Sequence, residues 1–250
     1  MTTTDLAGTT ALVTGATSGI GTATAVLLAA RGAHVLIGGR DATRGAAVVD
    51  SIRRDGGQAD FLAGDLQDAA SARDFARRAT ELGDGRVDIL VNSAAIFPVG
   101  PTAETDEADI DAVYAVNVKV PFVLVGELAP AMVARGKGAI VNIITMAADF
   151  GIVGMALYGS SKAALSLLTK AWAAEFGPSG VRVNAVSPGP TLTEGTAAMG
   201  EQLEHLAAMA PAGRIASPQE IAASIVYLVS DDASFVHGAI LPVDGGRVAA

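Results

Sequence analysis

Short apolar runs alternate with Ala-rich stretches along most of the chain. The runs are rich in β-branched residues and are apolar on both faces, as strands are when helices cover each side of a sheet. The sequence therefore predicts a sheet that is buried on both faces. Its seven expected strands are TALVTG (10–15), HVLIGG (34–39), ADFLAG (59–64), VDILVN (87–92), GAIVNII (138–144), VRVNAVS (181–187) and AILPV (239–243).

The stretches between these runs carry signals for the start and the end of helices. Asp68 and Ser217 are N-cap residues, and Gly32, Gly83 and Gly177 stand where helices are expected to end. Alternating strands and helices predict a mostly parallel, doubly wound α/β sheet of the Rossmann type with right-handed crossovers. The helices are predicted near 19–31, 41–54, 68–82, 105–134, 156–177 and 218–229.

The pattern continues without a linker, a charge block or an internal repeat, so 1–250 is expected to form one domain. Its least regular segment is 188–216, which begins SPGPTLTEG and follows the sixth predicted strand. Open α/β sheets place ligand-covering segments at such positions. We therefore expect a loop and helix region there that covers a substrate.

Composition narrows the classes of function. Half of the residues are apolar and the mean hydropathy is +0.43, so a large core is expected. There is no cysteine and there are three scattered histidines, so neither disulfides nor a transition-metal site is expected. The net charge of −9 argues against a nucleic-acid-binding surface. The N-terminus lacks a signal-peptide pattern and no long charge-free apolar run occurs, so a cytoplasmic protein is the expectation.

A glycine-rich turn follows the first predicted strand and opens the first helix. Its sequence is TGATSGIG (14–21), with the spacing GxxxGxG. Such glycines permit a tight turn and a close approach of the backbone to a pyrophosphate at the positive end of a helix. The spacing differs from that of a P-loop, which would end in Gly-Lys-Ser/Thr. A dinucleotide site is therefore predicted, although glycine turns also serve packing alone.

Tyr158 and Lys162 are four residues apart, so they share one face of a predicted helix. A free phenol titrates near pH ~10, and a neighbouring ammonium favours the phenolate. The pair therefore predicts a general acid/base with a lowered pKa for an alcohol–carbonyl couple. The alternative is an ordinary Tyr and Lys on a solvated helix face.

Together these motifs resemble the classical short-chain dehydrogenase/reductase family. The resemblance covers essentially the whole chain: TGxxxGIG, YxxxK at Tyr158–Lys162, Asp65-Leu66, an Asn92-Ser93-Ala94-Ala95 segment, Asn117, PGxxxT at 188–193 and the ending ILPVDGG. It implies that Lys162 also binds the nicotinamide ribose and that Asn117 belongs to a water-linked proton relay. The implied cofactor-binding residues are Gly15, Thr17, Ser18, Gly19, Ile20, Gly21, Arg40, Asp65, Leu66, Asn92, Ser93, Ala94, Tyr158, Lys162, Pro188, Gly189, Thr191 and Thr193.

Four positions depart from the family pattern or leave an alternative open. Thr145 stands thirteen residues before Tyr158, where the family usually has the Ser that orients the substrate. Thr145 is therefore a fourth catalytic candidate, or else a residue favoured only by strand propensity. Ser93 and Ala95 replace Asn and Gly of the family segment. From its own chemistry, Asn117 is an amide in an apolar helix, which could equally be bonded locally and kink that helix.

Cofactor preference is predicted at the end of the second strand. An NAD-preferring member has an acidic residue there for the ribose 2′-hydroxyl, but this chain has Gly39 followed by Arg40. That pair leaves room for a 2′-phosphate and supplies a charged partner, which favours NADP(H). The alternative is that Arg40 only begins a solvated loop.

The leading hypothesis is an NADP(H)-dependent carbonyl reductase or alcohol dehydrogenase, acting on a ketone or 3-oxoacyl group. The alternatives are an NAD-dependent alcohol or hydroxysteroid dehydrogenase, a catalytically silent dinucleotide sensor, and an epimerase or dehydratase of the extended family. A homotetramer is expected, since the resemblance implies pairing through the helices at 105–134 and 156–177 and through the last strand. A neutral substrate is indicated by an apolar wall of Phe97, Met146, Phe150, Met155, Leu192 and Met199.

Overall fold

Seven parallel strands form one sheet in the computed structural model, which describes residues 5–250. The predicted fold class is confirmed, and each predicted run contains a strand. The strands are β1 (Thr10–Val13), β2 (His34–Gly39), β3 (Gln58–Ala63), β4 (Ile89–Asn92), β5 (Gly138–Ile143), β6 (Val181–Pro188) and β7 (Ile240–Val243).

The strand order is β3-β2-β1-β4-β5-β6-β7, so the chain winds outwards from β1 in both directions. The direction reverses between β1 and β4, which are hydrogen-bonded neighbours with Ala11 opposite Ile89. In open α/β sheets the ligand crevice lies outside the carboxyl ends of the strands at this reversal. The topology thus places the glycine turn after β1 beside the segments that follow β4 and β5.

Helices cover both faces of the sheet, which explains why β1 and β5 are buried along their whole length. Two capping boxes confirm Asp68 and Ser217 as N-caps. The helices are α1 (Gly19–Ala30), α2 (Ala42–Arg54), α3 (Ala69–Leu82), α4 (Glu107–Tyr114), α5 (Val120–Arg135), α6 (Ala156–Phe176), α7 (Glu201–Ala208) and α8 (Pro218–Val229).

The core has two halves, one on each face of the sheet. On one face α1, α2 and α8 contribute apolar side chains such as Leu28, Ile52 and Ile225. On the other face α3, α5 and α6 contribute side chains such as Phe75 and Leu124. Val, Leu, Ile and Ala make up most of both halves.

The helix predicted at 105–134 is interrupted. It divides into α4 and α5, with a π-helical turn at Ala115–Lys119 between them. Asn117 lies in this turn. Its Oδ1 accepts a hydrogen bond from the backbone N–H of Ile96, and its Nδ2 donates one to the backbone carbonyl of Ile96. Such turns occur frequently at functional sites. The predicted helix at 105–134 is therefore confirmed as the helical stretch Glu107–Arg135, and the π-helical turn inside it was not predicted.

The combined stretch 107–135 is long and apolar enough to meet the length and hydropathy expected of a membrane-spanning helix. A core helix of a soluble protein meets the same test, and 44% of its most apolar window is buried inside the fold. Leu124, Leu128 and Met132 of α5 pack in the core. Packing on the sheet therefore accounts for the buried part of this apolar stretch.

Segment 188–216 contains α7 and a short 3₁₀ turn, Ala197–Met199, and is otherwise irregular. Gly200 joins the turn to α7 with φ 50° and ψ −125°, a conformation that favours glycine. The segment lies over the carboxyl ends of the strands, and eleven of its residues line the cleft described below. We refer to it as the covering segment.

Candidate active site

A cleft of about 470 Å³ opens at the carboxyl edge of the sheet. The glycine turn, the ends of the central strands, the first turns of α6 and the covering segment together form its walls. Most of the predicted site residues lie on these walls. Those that line the cleft are Gly15, Thr17, Ser18, Gly19, Ile20, Gly21, Arg40, Asp65, Leu66, Ser93, Ala94, Thr145, Tyr158, Lys162, Pro188, Gly189, Thr191 and Thr193.

The glycine turn is built for a close approach of the backbone. Gly15 has φ 64°, and a Cβ atom on it would lie 2.8 Å from the Cα atom of Ala94. A Cβ atom on Gly21 would collide with the carbonyl oxygen of Gly15. The turn therefore leads into α1 with no Cβ atom at Gly15 or Gly21 to hold a ligand away from the backbone. This geometry fits a pyrophosphate, which helix N-termini bind well.

Thr14 fixes the turn against the segment after β4. Its hydroxyl oxygen accepts hydrogen bonds from the backbone N–H groups of Ser93 (3.0 Å) and Ala94 (3.1 Å). The segment is thus held through its backbone. This explains how Ser93 can replace Asn without loosening the wall of the cleft.

Two guanidinium groups lie near the end of β2 on the wall of the cleft. Arg40 is exposed, and Arg44, which the sequence reasoning missed, donates from Nε to Asp41 at 2.7 Å. Asp41 caps α2, and its pKa is lowered by the backbone N–H of Arg44 and then by the Arg44 side chain. The three-residue spacing of Asp41 and Arg44 at the start of a helix was the sequence signal that could have indicated this contact. A Cβ atom on Gly39 would lie 2.5 Å from the Cγ2 atom of Thr17, so this wall has little room for a side chain.

Thr145, Tyr158 and Lys162 meet deeper in the cleft. Lys162 is buried, and its Nζ donates to the carbonyl oxygen of Ile143 at 2.8 Å and lies 5.9 Å from the centroid of the Tyr158 ring. The Tyr158 ring is partly buried, and its centroid is 6.0 Å from that of Phe97. A hydrogen bond joins the side chains of Tyr158 and Thr145. The three residues therefore lie close together on one part of the cleft wall.

The predicted direction of the Tyr158 pKa was wrong for this structure. Burial raises the pKa of the phenol to about 12, and the hydrogen bond with Thr145 only partly offsets this effect. Burial also lowers the pKa of Lys162 to about 8. Desolvation is the largest effect on each group, and it raises the pKa of the phenol while it lowers the pKa of the ammonium. At pH 7 Tyr158 is thus protonated, as a proton donor must be.

Gly159 explains how Tyr158 comes so close to Thr145, and the sequence reasoning did not identify it. A Cβ atom on Gly159 would lie 2.6 Å from the carbonyl oxygen of Ala147, two residues beyond Thr145. Helix α6 can therefore pack directly on the turn that follows β5. A glycine in the first turn of a helix was the available signal, since glycine is unfavourable there without a packing reason.

Two predicted residues do not line the cleft. Asn92 is buried, and its Nδ2 donates to Oδ1 of Asn142 at 2.8 Å. Asn117 is fully buried, and its Nδ2 donates to Ser161 at 3.0 Å as well as to Ile96. Both amide nitrogens therefore donate to protein groups, and the assignment of Asn92 to the cofactor stays a prediction. For Asn117 the geometry agrees with a locally bonded amide that reshapes the helix.

The apolar wall on the substrate side differs from the predicted one at two positions. Phe97, Met146, Met155 and Met199 line the cleft as expected. The Phe150 ring instead lies against Arg247, whose Cζ atom is 4.7 Å from the centroid of that ring. Leu192 lines a groove between α1 and α8. The reasoning missed the other lining residues of this wall, because loops 95–99 and 152–155 and helix α7 carry no chemical motif. These include Ile96, Val99, Ile152, Val153, Gln202, Leu203 and Leu206.

Comparisons with known proteins agree with this arrangement. The family model described as enoyl-(acyl carrier protein) reductase matches residues 15–247. A solved short-chain dehydrogenase/reductase family protein is 48% identical, with a TM-score of 0.91 and coverage of 98% of this chain and 100% of that one. The chain belongs to the short-chain dehydrogenase/reductase family.

Other relatives in the family carry more specific descriptions. The D-threitol dehydrogenase of Mycolicibacterium smegmatis is 40% identical over 243 residues, 96% of this chain and 93% of that protein. A blue fluorescent protein from a metagenomic library, solved in complex with NADPH, is 34% identical with a TM-score of 0.91. The match covers 97% of this chain and 99% of the blue fluorescent protein. As a short-chain dehydrogenase/reductase, the protein is an NAD(P)-dependent oxidoreductase that acts on CH–OH donors.

Proposed function

We propose that this short-chain dehydrogenase/reductase interconverts a ketone and a secondary alcohol with NADP(H), and that Tyr158 is the general acid/base. The observation that carries the proposal is the meeting of Thr145, Tyr158 and Lys162 in the cleft that also contains the glycine turn. A dinucleotide on that turn and a carbonyl beside Tyr158 would share one enclosed space. A silent sensor would have no need of a protonated phenol and a buried ammonium there.

The roles of the protein groups follow from their surroundings. The bound nicotinamide would supply or accept the hydride. During reduction Tyr158 donates its proton to the carbonyl oxygen, and the Thr145 hydroxyl donates a hydrogen bond to the same oxygen. Lys162, whose pKa is about 8, carries positive charge at pH 7 and stabilises the phenolate that forms. The Ile143 carbonyl takes one of its three N–H donors and leaves two for other partners.

A neutral substrate is proposed from the wall beside Tyr158. Among the described lining residues of that wall, from Ala95 to Val99, Ile152 to Met155 and Met199 to Leu206, none carries a charge. A carboxylate would be desolvated there without a guanidinium or ammonium partner, which is costly. We therefore propose a neutral ketone, or the keto group of a 3-oxoacyl chain, with an apolar body against Phe97 and Met199.

The preference for NADP(H) is proposed from Arg40, Arg44 and the side-chain-free Gly39. Arg40→Ala should lower the preference for NADPH over NADH about tenfold, because a hydrogen bond to a charged group is lost. Arg54→Ala, an exposed guanidinium at the end of α2, removes the same charge away from the cleft and should leave the ratio unchanged. The measurement is kcat/KM with each cofactor. Equal efficiency with NADH in the unaltered protein would overturn the assignment.

A panel of carbonyl substrates tests the proposed reaction class. Cyclic ketones, linear ketones, a 3-oxoacyl thioester and 2-oxo acids are each incubated with NADPH, and its oxidation is followed by absorbance. Neutral ketones or the thioester should be turned over, and 2-oxo acids should be poor substrates because the wall has no cationic partner. Turnover confined to the charged acids would contradict the proposed substrate class.

We further propose a cytoplasmic homotetramer. Ile110 of α4, Phe122 of α5 and Leu167 of α6 are exposed, the last with 68% of its surface accessible. We propose that another copy of the chain covers these apolar side chains. Light scattering at micromolar concentration should give four times the chain mass of 25.0 kDa, and a monomeric mass would contradict the proposal.

A further inference from the structure

Glu194 of the covering segment bonds directly to the start of α1. Its Oε2 accepts a hydrogen bond from the backbone N–H of Gly19 at 2.9 Å, across 175 positions of sequence. Gly19 is the first residue of α1 and belongs to the glycine turn. The contact therefore joins the segment that covers the cleft to the turn that would hold the pyrophosphate.

The carboxylate lies outside the cleft. Glu194 borders the neighbouring groove between α1 and α8, which Thr22, Val26 and Ala222 also line. Thr193 and Thr196, on either side of it in sequence, line the main cleft instead. The chain thus passes over the turn with its threonines inwards and its carboxylate on the outer side, so the carboxylate and a bound pyrophosphate need not compete for one space.

The loop that carries Glu194 is braced within itself. The Thr196 hydroxyl accepts from the N–H of Thr193 at 2.9 Å and donates to the carbonyl of Thr191 at 2.7 Å. Against the turn, the Cγ2 atom of Thr193 lies 3.0 Å from the position that a Cβ atom on Gly19 would take. A braced loop moves as one unit, so a bond at Glu194 also fixes Thr191 and Thr193 over the cofactor side of the cleft.

We propose that Glu194 is a positioning residue that fastens the covering segment to the glycine turn and prolongs the residence of the bound dinucleotide. The proposal rests on the proposed function only in taking NADP(H) as that dinucleotide. The carboxylate is favoured at this end of α1 by the helix dipole as well as by the hydrogen bond. Release of the dinucleotide then requires the bond between Glu194 and Gly19 to open first.

The test measures NADPH dissociation from the whole protein by stopped-flow fluorescence, with affinity from calorimetry and no substrate present. Glu194→Ala should raise the dissociation rate constant about three- to tenfold, the effect of one lost hydrogen bond. Glu194→Gln keeps an acceptor oxygen and loses the charge, so its rate constant should lie between those of Glu194→Ala and the unaltered protein. Glu201→Ala removes a carboxylate from the same segment and should change nothing, since Glu201 is exposed and borders neither cavity.

Two outcomes would overturn the inference. An unchanged dissociation rate constant in Glu194→Ala would show that the contact does not hold the segment in place. Slower dissociation with tighter binding would show that the carboxylate competes with the pyrophosphate. The same measurement is made with NADH, and no carbonyl is present in either. An error in cofactor preference or in the role of Tyr158 would therefore be seen separately.

Discussion

Tyr158→Phe should lower kcat/KM for ketone reduction by about 10²–10⁴-fold, the range found when a positioned general acid is removed. The substitution deletes one hydroxyl and keeps the ring, whose centroid lies 6.0 Å from that of Phe97. Packing and the close approach of α6 at Gly159 do not involve that hydroxyl. Folding and dinucleotide binding should therefore survive, and the loss should fall on kcat.

Tyr227→Phe is the matched control, because Tyr227 is an exposed phenol on α8 that borders neither cavity. Activity is measured as NADPH oxidation, and binding as fluorescence enhancement of NADPH. If Tyr158→Phe retained most of its turnover on any substrate that the unaltered protein reduces well, the assignment of the proton donor would be wrong.

Thr145→Val should lower the reduction rate by about 10²–10³-fold, as the loss of a preorganised donor does. Valine keeps the branched shape and removes the O–H group that we assign to the carbonyl oxygen. Thr145→Ser keeps the donor and removes one methyl, so it should remain active and accept bulkier ketones. The ratio of kcat/KM for a bulky and a small ketone measures the second effect.

Thr145 also makes a structural contact, whose loss in Thr145→Val has to be distinguished from the loss of the catalytic donor. The Thr145 hydroxyl also accepts from the N–H of Ala147 at 3.3 Å and so caps the short turn Met146–Ala148. The length of this bond suggests a small contribution to stability. Thermal unfolding of Thr145→Val should therefore change little while activity collapses. Near wild-type activity in Thr145→Val would show that the hydroxyl is only structural.

The fold was predictable because its signals are local. A strand such as GAIVNII is apolar on both faces, and only a sheet covered on both sides buries it completely. Asp68 and Ser217 mark the starts of their helices through capping boxes, each of which lies within four residues of sequence. The glycine turn and Tyr158–Lys162 were found for the same reason, since their spacing is short and chemically specific.

The features that sequence reasoning missed depend on contacts between distant segments. Asn117 bonds Ile96 across 21 positions and lies in a π-helical turn within the predicted helix, and neither feature is visible in the helical pattern. Leu192 is as apolar as Met199, but the direction of the covering segment turns it towards α1 and α8. The pKa of Tyr158 was misjudged because the sequence shows the neighbouring ammonium and does not show the burial.

Transfer of an isotopic label tests the central claim most directly. NADPH carrying deuterium at C4 of the nicotinamide, in each stereochemical form, is incubated with the protein and a neutral ketone that it reduces. With one of the two forms, mass spectrometry should find one deuterium on the carbinol carbon of the alcohol, and Tyr158→Phe should make this product far more slowly. Alcohol that forms without deuterium from either form, or at the same rate in Tyr158→Phe, would contradict hydride transfer assisted by Tyr158.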